Sequence, residues 1–128
     1  MPKGFVRTAA VSVPVHLGDV DANVKEIIAA MENLRQSGVQ AAVFPELCLT
    51  GYTLGDLLLR PALQRAAWNG MLAVAEQTGD MAAIVGLPVA LGSSVYDCAA
   101  ALCGGTVLGM VPRTDPERRW FSPAPQER

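Results

Sequence analysis

The sequence predicts an α/β fold with a mixed sheet that is covered by helices on one face. An apolar strand, an amphipathic helix and a second apolar strand follow one another at the start of the chain. Another helix and a third strand come next, and two further strand-like runs are joined by a Gly-Gly turn. Strand-helix-strand units pair their strands in parallel, whereas a tight turn pairs them antiparallel, so the sheet is expected to be mixed.

The first half of the chain supplies the strand-helix-strand unit. The stretch 5–13 interleaves valine, alanine and serine, which is typical of a strand. Asp19 or Asp21 can cap the helix that follows, and Gly38 is well placed to end it. The run 39–44 is continuously apolar, as in strands that are covered on both faces. The helical apolar positions are Val24, Ile27, Ile28, Met31 and Leu34.

The second half begins with a short helical turn at Gly55-Asp56 and a longer helix from Pro61. The stretch 81–90 is the next buried strand, and 94–112 forms two strands around the turn at Gly104-Gly105. The apolar face of the longer helix is expected to hold Trp68, Met71, Leu72 and Ala75. From Pro112 onward the chain has four of its nine prolines and no periodicity. We therefore predict one folded unit over 1–112 and an irregular Pro-rich tail over 113–128.

Composition excludes several classes of function. The 128 residues include ten basic and twelve acidic side chains, which give a net charge of -2 and no basic patch for nucleic acid or a membrane surface. No secretory signal or membrane-length apolar run is evident. The three cysteines lack paired spacing, so we expect reduced thiols in a cytoplasmic chain. No metal-ligand cluster or phosphate-binding glycine loop is present, so neither a metal nor a cofactor is expected.

Glu46 is the most informative residue, because it is the one carboxylate in the apolar segment AAVFPELCLTGY. It follows the second strand directly after Pro45, and reactive residues cluster where parallel strands end. The apolar neighbours Leu47, Cys48 and Leu49 would raise its carboxyl pKa toward the range of a general base. On spacing alone, Glu46 can equally cap the following turn or pair with an arginine.

The segment VFPELCLTGYTLGDLLL resembles the first active-site segment of the nitrilase (carbon-nitrogen hydrolase) superfamily. More narrowly, it is similar to the glutaminase domain of the glutamine-dependent NAD+ synthetase family. The stretches GFVRTAAVSVPVHLGDVDANVKEII, IVGLPV, SSVYDCAAALCGGTVLGMVPR and RRWFSP resemble that family's other strands, opening helix and a later loop. The resemblance implies a partial αββα nitrilase-type sandwich, with 1–112 as the amino-terminal half of a glutaminase domain.

The resemblance also implies roles for three residues. Glu46 would be the general base of a Glu-Lys-Cys triad, in which a cysteine thiolate attacks the side-chain amide of glutamine and ammonia passes to NAD+ synthesis. Arg113 stands at the position of the family's lysine, in Val111-Pro112-Arg113. Tyr52 would help to shape the glutamine pocket. From the residues alone, Tyr52 can equally be a half-buried tyrosine that satisfies one backbone group.

Several positions depart from the family's pattern. The side chain of Arg113 ends in a planar guanidinium, whereas the family's lysine ends in a compact ammonium. Asp97 follows Tyr96 where the family has asparagine. The family's nucleophilic cysteine belongs to a later segment. Cys48 lies two residues from Glu46 but among leucines, and the single histidine, His16, is expected to be solvated.

Two hypotheses follow. The chain is either part of a glutamine amidohydrolase with little activity by itself, or a non-catalytic scaffold of the same fold. Under both hypotheses, half of a sandwich exposes an apolar sheet face. We therefore expect a homo-oligomer, or association with the missing half of the domain.

Overall fold

The computed structural model describes residues 4, 6–117 and 120–125. It confirms the predicted α/β class, with five strands, two α-helices and one short 3-10 helix in that part of the chain. The elements in chain order are β1 (Thr8–Ala10), α1 (Val20–Gln36), β2 (Ala41–Val43), the 3-10 helix (Gly55–Leu59), α2 (Pro61–Glu76), β3 (Ala82–Leu91), β4 (Ser94–Cys103) and β5 (Thr106–Pro112).

The strands form one mixed sheet in the order β1-β2-β3-β4-β5. The first three strands are parallel, as the strand-helix-strand pattern predicts, and β4 is antiparallel to both of its neighbours. Gly104 and Gly105 both have positive φ in the turn between β4 and β5, as a two-residue hairpin requires. β5 therefore runs in the same direction as β2 and β3. The carboxyl ends of β2 and β5 lie at the same side of the sheet, and β3 continues beyond both of them.

Both helices pack against the same face of the sheet in one apolar core. Asp19, rather than Asp21, caps α1, because its carboxylate accepts a hydrogen bond from the Ala22 backbone N–H at 3.1 Å. Gly38 has φ +79° just beyond the helix end. The core includes these fully buried residues from the two helices and the sheet: Ile27, Met31, Ala67, Met71, Val74, Ala83, Ala100 and Leu102.

The buried face of α2 differs from the expected one. Met71 and Ala75 are buried as predicted, but Trp68 and Leu72 are exposed. The helix turns Ala67, Gly70 and Val74 inward instead. A Cβ atom at Gly70 would lie 2.7 Å from Val20 Cγ1, so the missing side chain lets α1 and α2 approach closely and sets which face of α2 is buried. The pattern of large apolar residues contains no such signal.

The opposite face of the sheet is open and apolar. Val43 on β2, Ile84 on β3 and Val111 on β5 retain 46%, 37% and 69% of their accessible surface. Val43 and Ile84 are direct partners in the ladder, and Val111 pairs with Ala99 on β4. We call Val43, Ile84, Ala99 and Val111 the open-face cluster. No helix in the described ranges is long and apolar enough to span a membrane.

The described residues that follow β5 form no helix or strand, yet they return to the body of the protein. Phe121 is buried in a second apolar cluster with Leu47 and Leu58. The Ser122 backbone N–H donates to the Val95 carbonyl at 2.8 Å. This segment therefore packs against the loop that carries Glu46.

The close approach at Gly70 predicts that Gly70→Ala destabilises the chain, although alanine is the better helix former. The added methyl group would meet Val20 and Val24, which are buried β-branched side chains with little rotamer freedom. We expect a loss of about 1–3 kcal/mol in the free energy of unfolding, measured by urea denaturation.

Asn69→Ala is the matched control, because Asn69 is the exposed neighbour in the same helix. It is expected to leave stability within about 0.5 kcal/mol of the wild type. Equal or higher stability of Gly70→Ala would contradict the close helix contact.

Candidate active site

Glu46 lies in a turn just beyond the carboxyl end of β2, and the backbone after it makes an unusual bend. Leu47 has φ +53°, the left-handed conformation that non-glycine residues rarely adopt. The Leu47 carbonyl accepts hydrogen bonds from the backbone N–H groups of Thr50 at 3.1 Å and Gly51 at 2.7 Å. These bonds close the turn and fix the direction in which Glu46 leaves the sheet.

The turn crosses directly over β3 at Gly86. A Cβ atom at Gly86 would lie 2.3 Å from the Leu47 nitrogen and 3.2 Å from Glu46 Cα, so no side chain fits between the two backbones. The Leu49 N–H donates to the Gly86 carbonyl at 3.2 Å, and the Gly86 N–H lies 3.4 Å from the Cys48 sulfur. Gly86 therefore allows the contact that places Glu46 above the sheet. Sequence analysis did not single out Gly86.

Arg113 reaches the same place from the end of β5. Its Nη1 donates a hydrogen bond to Glu46 Oε2, so the carboxylate does pair with an arginine, as one of the two readings of Glu46 predicts. The side chains of Arg113 and Glu46 are 45% and 36% exposed. A solvent-exposed ion pair of this kind stabilises a fold only weakly. The pair therefore fixes the relative position of the two groups more than it stabilises the chain.

Asp97 on β4 is a third member of the cluster and was not predicted as a site residue. Its side chain is only 3% exposed, and Oδ2 lies 3.9 Å from Arg113 Nη1. No donor in the described part of the chain bonds to that oxygen. The Asp97 carbonyl accepts a hydrogen bond from the Arg113 backbone N–H at 2.8 Å, which ties the two residues together. The signal in the sequence was a charged residue inside a strand that is otherwise apolar.

The two carboxyl groups have opposite pKa shifts. The hydrogen-bonding interaction with Asp97 is the largest influence on Glu46 and lowers its pKa, and Arg113 lowers it further against the opposing effect of burial. Burial, and then the interaction with Glu46, raises the pKa of Asp97 to about 8. Two acids in one cleft whose pKa values are shifted in opposite directions are typical of functional acid–base pairs. The expected rise in the pKa of Glu46 is therefore wrong, because its partners outweigh its burial.

A cavity of about 350 Å³ opens beside these three residues. Its walls are mainly apolar and come from the carboxyl ends of β2 and β5, the first half of β3 and the middle of β4. Beside the charged cluster, the lining includes Phe44, Pro45, Val85, Gly86, Cys98 and Pro112, together with the whole open-face cluster. A mainly apolar cleft with a few converging polar groups is the usual form of a small-molecule site.

Tyr52 and His16 lie apart from this cluster. Tyr52 is 42% exposed and does not line the cavity. His16 is exposed, as expected, and its Nε2 lies 3.0 Å from Glu26 Oε2. Within the described ranges, no group of three or more histidine, cysteine, aspartate or glutamate side chains is arranged to hold a metal ion.

None of the three cysteines has the surroundings of an activated thiol. Cys48 is buried, its sulfur faces the Gly86 backbone, and burial raises its pKa to about 11. Cys98 is also buried, and burial together with the Asp97 charge raises its pKa to about 11. Cys103 is partly exposed and lies near the Gly79 carbonyl, at the far end of β4 from Asp97. A nucleophilic thiol instead needs a positive environment and a lowered pKa.

The curated proteins that resemble this chain are glutamine-dependent NAD(+) synthetases. No protein-family model matches it. A glutamine-dependent NAD(+) synthetase of Mycobacterium tuberculosis is 34% identical over 134 residues, which cover 98% of this chain and 20% of the relative. One from Xylella fastidiosa is 38% identical over 104 residues, which cover 80% of this chain and 19% of the relative. The chain thus spans about a fifth of the length of the curated relatives it matches.

Solved structures agree with the sequence relatives. The crystal structure of a glutamine-dependent NAD(+) synthetase from Cytophaga hutchinsonii superposes with a TM-score of 0.91 at 28% identity, over 96% of this chain and 22% of that one. An amidase from Nesterenkonia sp., from the nitrilase superfamily, superposes with a TM-score of 0.83 at 24% identity, over 98% of this chain and 51% of the amidase. The second likeness supports the nitrilase-type fold alone.

The crossing at Gly86 predicts that Gly86→Ala separates Glu46 from Arg113. The new methyl group would overlap the Leu47 nitrogen, so the turn must shift away from β3. We expect a loss of about 1–3 kcal/mol or more in the free energy of unfolding by urea denaturation. Chemical-shift changes in NMR spectra are expected to concentrate at Glu46 and Arg113.

Gly109→Ala is the matched control, because Gly109 also lies in a strand but has open space around its Cα. It is expected to change stability by less than about 1 kcal/mol. If the two variants behave alike, the close approach at Gly86 does not position Glu46.

Proposed function

Because the chain is homologous to glutamine-dependent NAD(+) synthetases and has the nitrilase-type fold, we propose that it forms part of a domain that hydrolyses glutamine and supplies ammonia to NAD+ synthesis. The observation that carries this proposal is the meeting of Glu46, Arg113 and a cavity at the carboxyl ends of β2 and β5. A carboxylate and a cation beside an apolar cleft are suited to acyl-transfer chemistry.

In this proposal Glu46 is the general base. It takes a proton from a cysteine thiol, and the thiolate attacks the amide carbon of glutamine to form a tetrahedral intermediate. The nitrogen takes up the proton and leaves as ammonia, and water then cleaves the thioester to give glutamate. The lowered pKa of Glu46 keeps it ionised and ready to accept the proton, although it also makes the carboxylate a weaker base.

Arg113 would take the place of the family's lysine near the oxyanion. Its guanidinium is directed at Glu46, and it is a larger and flatter cation than an ammonium. Tyr52 would lie at the outer rim of the glutamine site, since it is exposed and lies outside the lining of the cavity.

We further propose that the nucleophilic thiol comes from outside these 128 residues. Both Cys48 and Cys98 are buried with raised pKa values, so they are neutral thiols near neutral pH. The chain as given would thus bind the substrate side chain without completing the reaction.

A second candidate function is that of a scaffold that associates with itself or with a partner. The open-face cluster supports this candidate, because apolar side chains from four neighbouring strands are left in contact with water. The two functions are compatible, since a domain completed by a partner would cover this face.

We expect the purified chain to bind L-glutamine weakly and to release no ammonia from it. Binding is expected to shift the backbone amide resonances of residues around Glu46 and Arg113 in NMR spectra. A coupled enzymatic assay on the same samples measures ammonia.

Glu46→Gln should abolish these shifts, whereas the matched variant Glu26→Gln on α1 should not. D-Glutamine serves as the ligand control. Absence of any shift near the cavity at tens of millimolar glutamine would refute glutamine as the ligand (weak ligands reach about millimolar Kd). Ammonia release that is lost in both Glu46→Ala and Cys48→Ala would instead make Cys48 the nucleophile.

The open-face cluster predicts self-association at tens of micromolar, about the range of weak specific complexes. Val111→Lys places a charge at the most exposed of the three large apolar residues of the cluster and is expected to yield monomers. Light scattering coupled to gel filtration measures the mass of each species.

Leu91→Lys is the control, because Leu91 is similarly exposed but lies at the end of β3, outside the cluster. A monodisperse wild-type monomer, or equal effects of the two variants, would contradict the role of the open face.

A further inference from the structure

The charges at the candidate active site do not balance if both acids are ionised. Among the residues that the structure describes, Arg113 is the single cation in contact with them, and it donates to Glu46 rather than to Asp97. The distance of 3.9 Å from Arg113 Nη1 to Asp97 Oδ2 is too long for a hydrogen bond. An ionised Asp97 would therefore be a buried charge with one oxygen that no described donor reaches. Such a group usually takes up a proton instead.

We propose that Asp97 carries a proton in the folded chain at neutral pH and acts as a positioning residue that holds Glu46 through this proton, while Glu46 is the ionised partner of Arg113. Glu46 keeps 36% of its side-chain surface, so water and Arg113 stabilise its charge. Asp97 keeps 3% of its side-chain surface, so neither water nor a hydrogen bond from Arg113 stabilises a charge on it. With one proton the three groups carry no net charge. The inference goes beyond the proposed function and does not depend on glutamine being the substrate.

The titratable groups around Asp97 support this assignment. Burial and then Glu46 raise the pKa of Asp97 to about 8, and the attraction of Arg113 is the smallest of the influences. Cys98, the next residue on β4, is a neutral thiol, because burial and the Asp97 charge raise its pKa to about 11. Apart from Arg113, which donates to Glu46, no described group near Asp97 thus offers a positive charge that would stabilise its ionised form.

The proton on Asp97 also affects the basicity and the position of the Glu46 carboxylate. Two carboxyl groups can share a hydrogen bond only when one of them is protonated. The interaction with Asp97 is the largest influence that lowers the pKa of Glu46. When Asp97 loses its proton at alkaline pH, two negative charges face one another beside one arginine. Glu46 is then expected to become a stronger base and to be held less firmly.

The direct test is a pH titration of the side-chain carboxyl carbons of the intact chain, followed by ¹³C NMR from roughly pH 5 to pH 9. One aspartate is expected to titrate near 8. That signal should disappear in Asp97→Asn, which supplies an N–H donor but cannot titrate, and should persist in Asp80→Asn, an exposed acid in a turn. Titration of Asp97 below about pH 5 would overturn the proposal.

Glu46→Gln provides an independent test within the same measurement. The substitution removes the negative charge that raises the pKa of Asp97 and frees Arg113 to pair with it. The titration midpoint of Asp97 is expected to fall by about one pH unit or more, which is at least a tenfold weaker proton affinity. An unchanged midpoint would mean that Glu46 and Asp97 do not share the proton, and would refute the positioning role.

A raised pKa of Asp97 also predicts how the stability of the fold changes with pH. A carboxyl group whose folded pKa is raised from 3.8 to about 8 binds more protons in the folded state between these values, so stability falls as pH rises through this range. Glu46 has a lowered pKa, and its contribution is lost only at acidic pH. The urea midpoint of the wild type should therefore fall from pH 5 to pH 8, about the window between the two shifts, and fall less in Asp97→Asn. A wild-type midpoint that stays constant or rises over this window would contradict the proposal.

Discussion

The close crossing of two backbones, at Gly86 of β3 and Leu47 of the loop after β2, is the constraint on which the candidate site depends. Because no side chain can occupy the gap, the loop lies directly on the strand, and the Leu49 N–H donates to the Gly86 carbonyl. The left-handed conformation of Leu47 then directs Glu46 away from the core. Packing of Leu47 with Phe121 and Leu58 on the other side holds this strained turn in place.

The order of the strands explains why distant residues meet there. The antiparallel hairpin of β4 and β5 returns β5 to the direction of β2 and β3, so Arg113 emerges at the same edge as Glu46. Asp97 lies near the start of β4, which is also at that edge because β4 runs in the opposite direction. Three residues separated by as many as 67 positions in sequence thus form one cluster through topology alone.

The cluster differs from a simple ion pair because of where its charges lie. Glu46 and Arg113 are accessible to water, which weakens their attraction, whereas the side chain of Asp97 is buried. Arg113 and Asp97, two positions that the sequence analysis singled out as departures from the pattern of the resembling family, lie side by side and share a backbone hydrogen bond. Changes that appear unrelated in the sequence therefore alter one electrostatic environment.

The sequence alone determined the α/β class, the parallel and antiparallel strand pairs, the hairpin and the position of Glu46 at a strand end, because periodicity and turn residues encode these features locally. It did not determine the buried face of α2, since that depends on the gap left by Gly70 against α1. It also could not assign Asp97 to the site or find that the pKa of Glu46 is lowered. Both depend on the distance and burial of charges brought together by the sheet, and only the tertiary structure decides these.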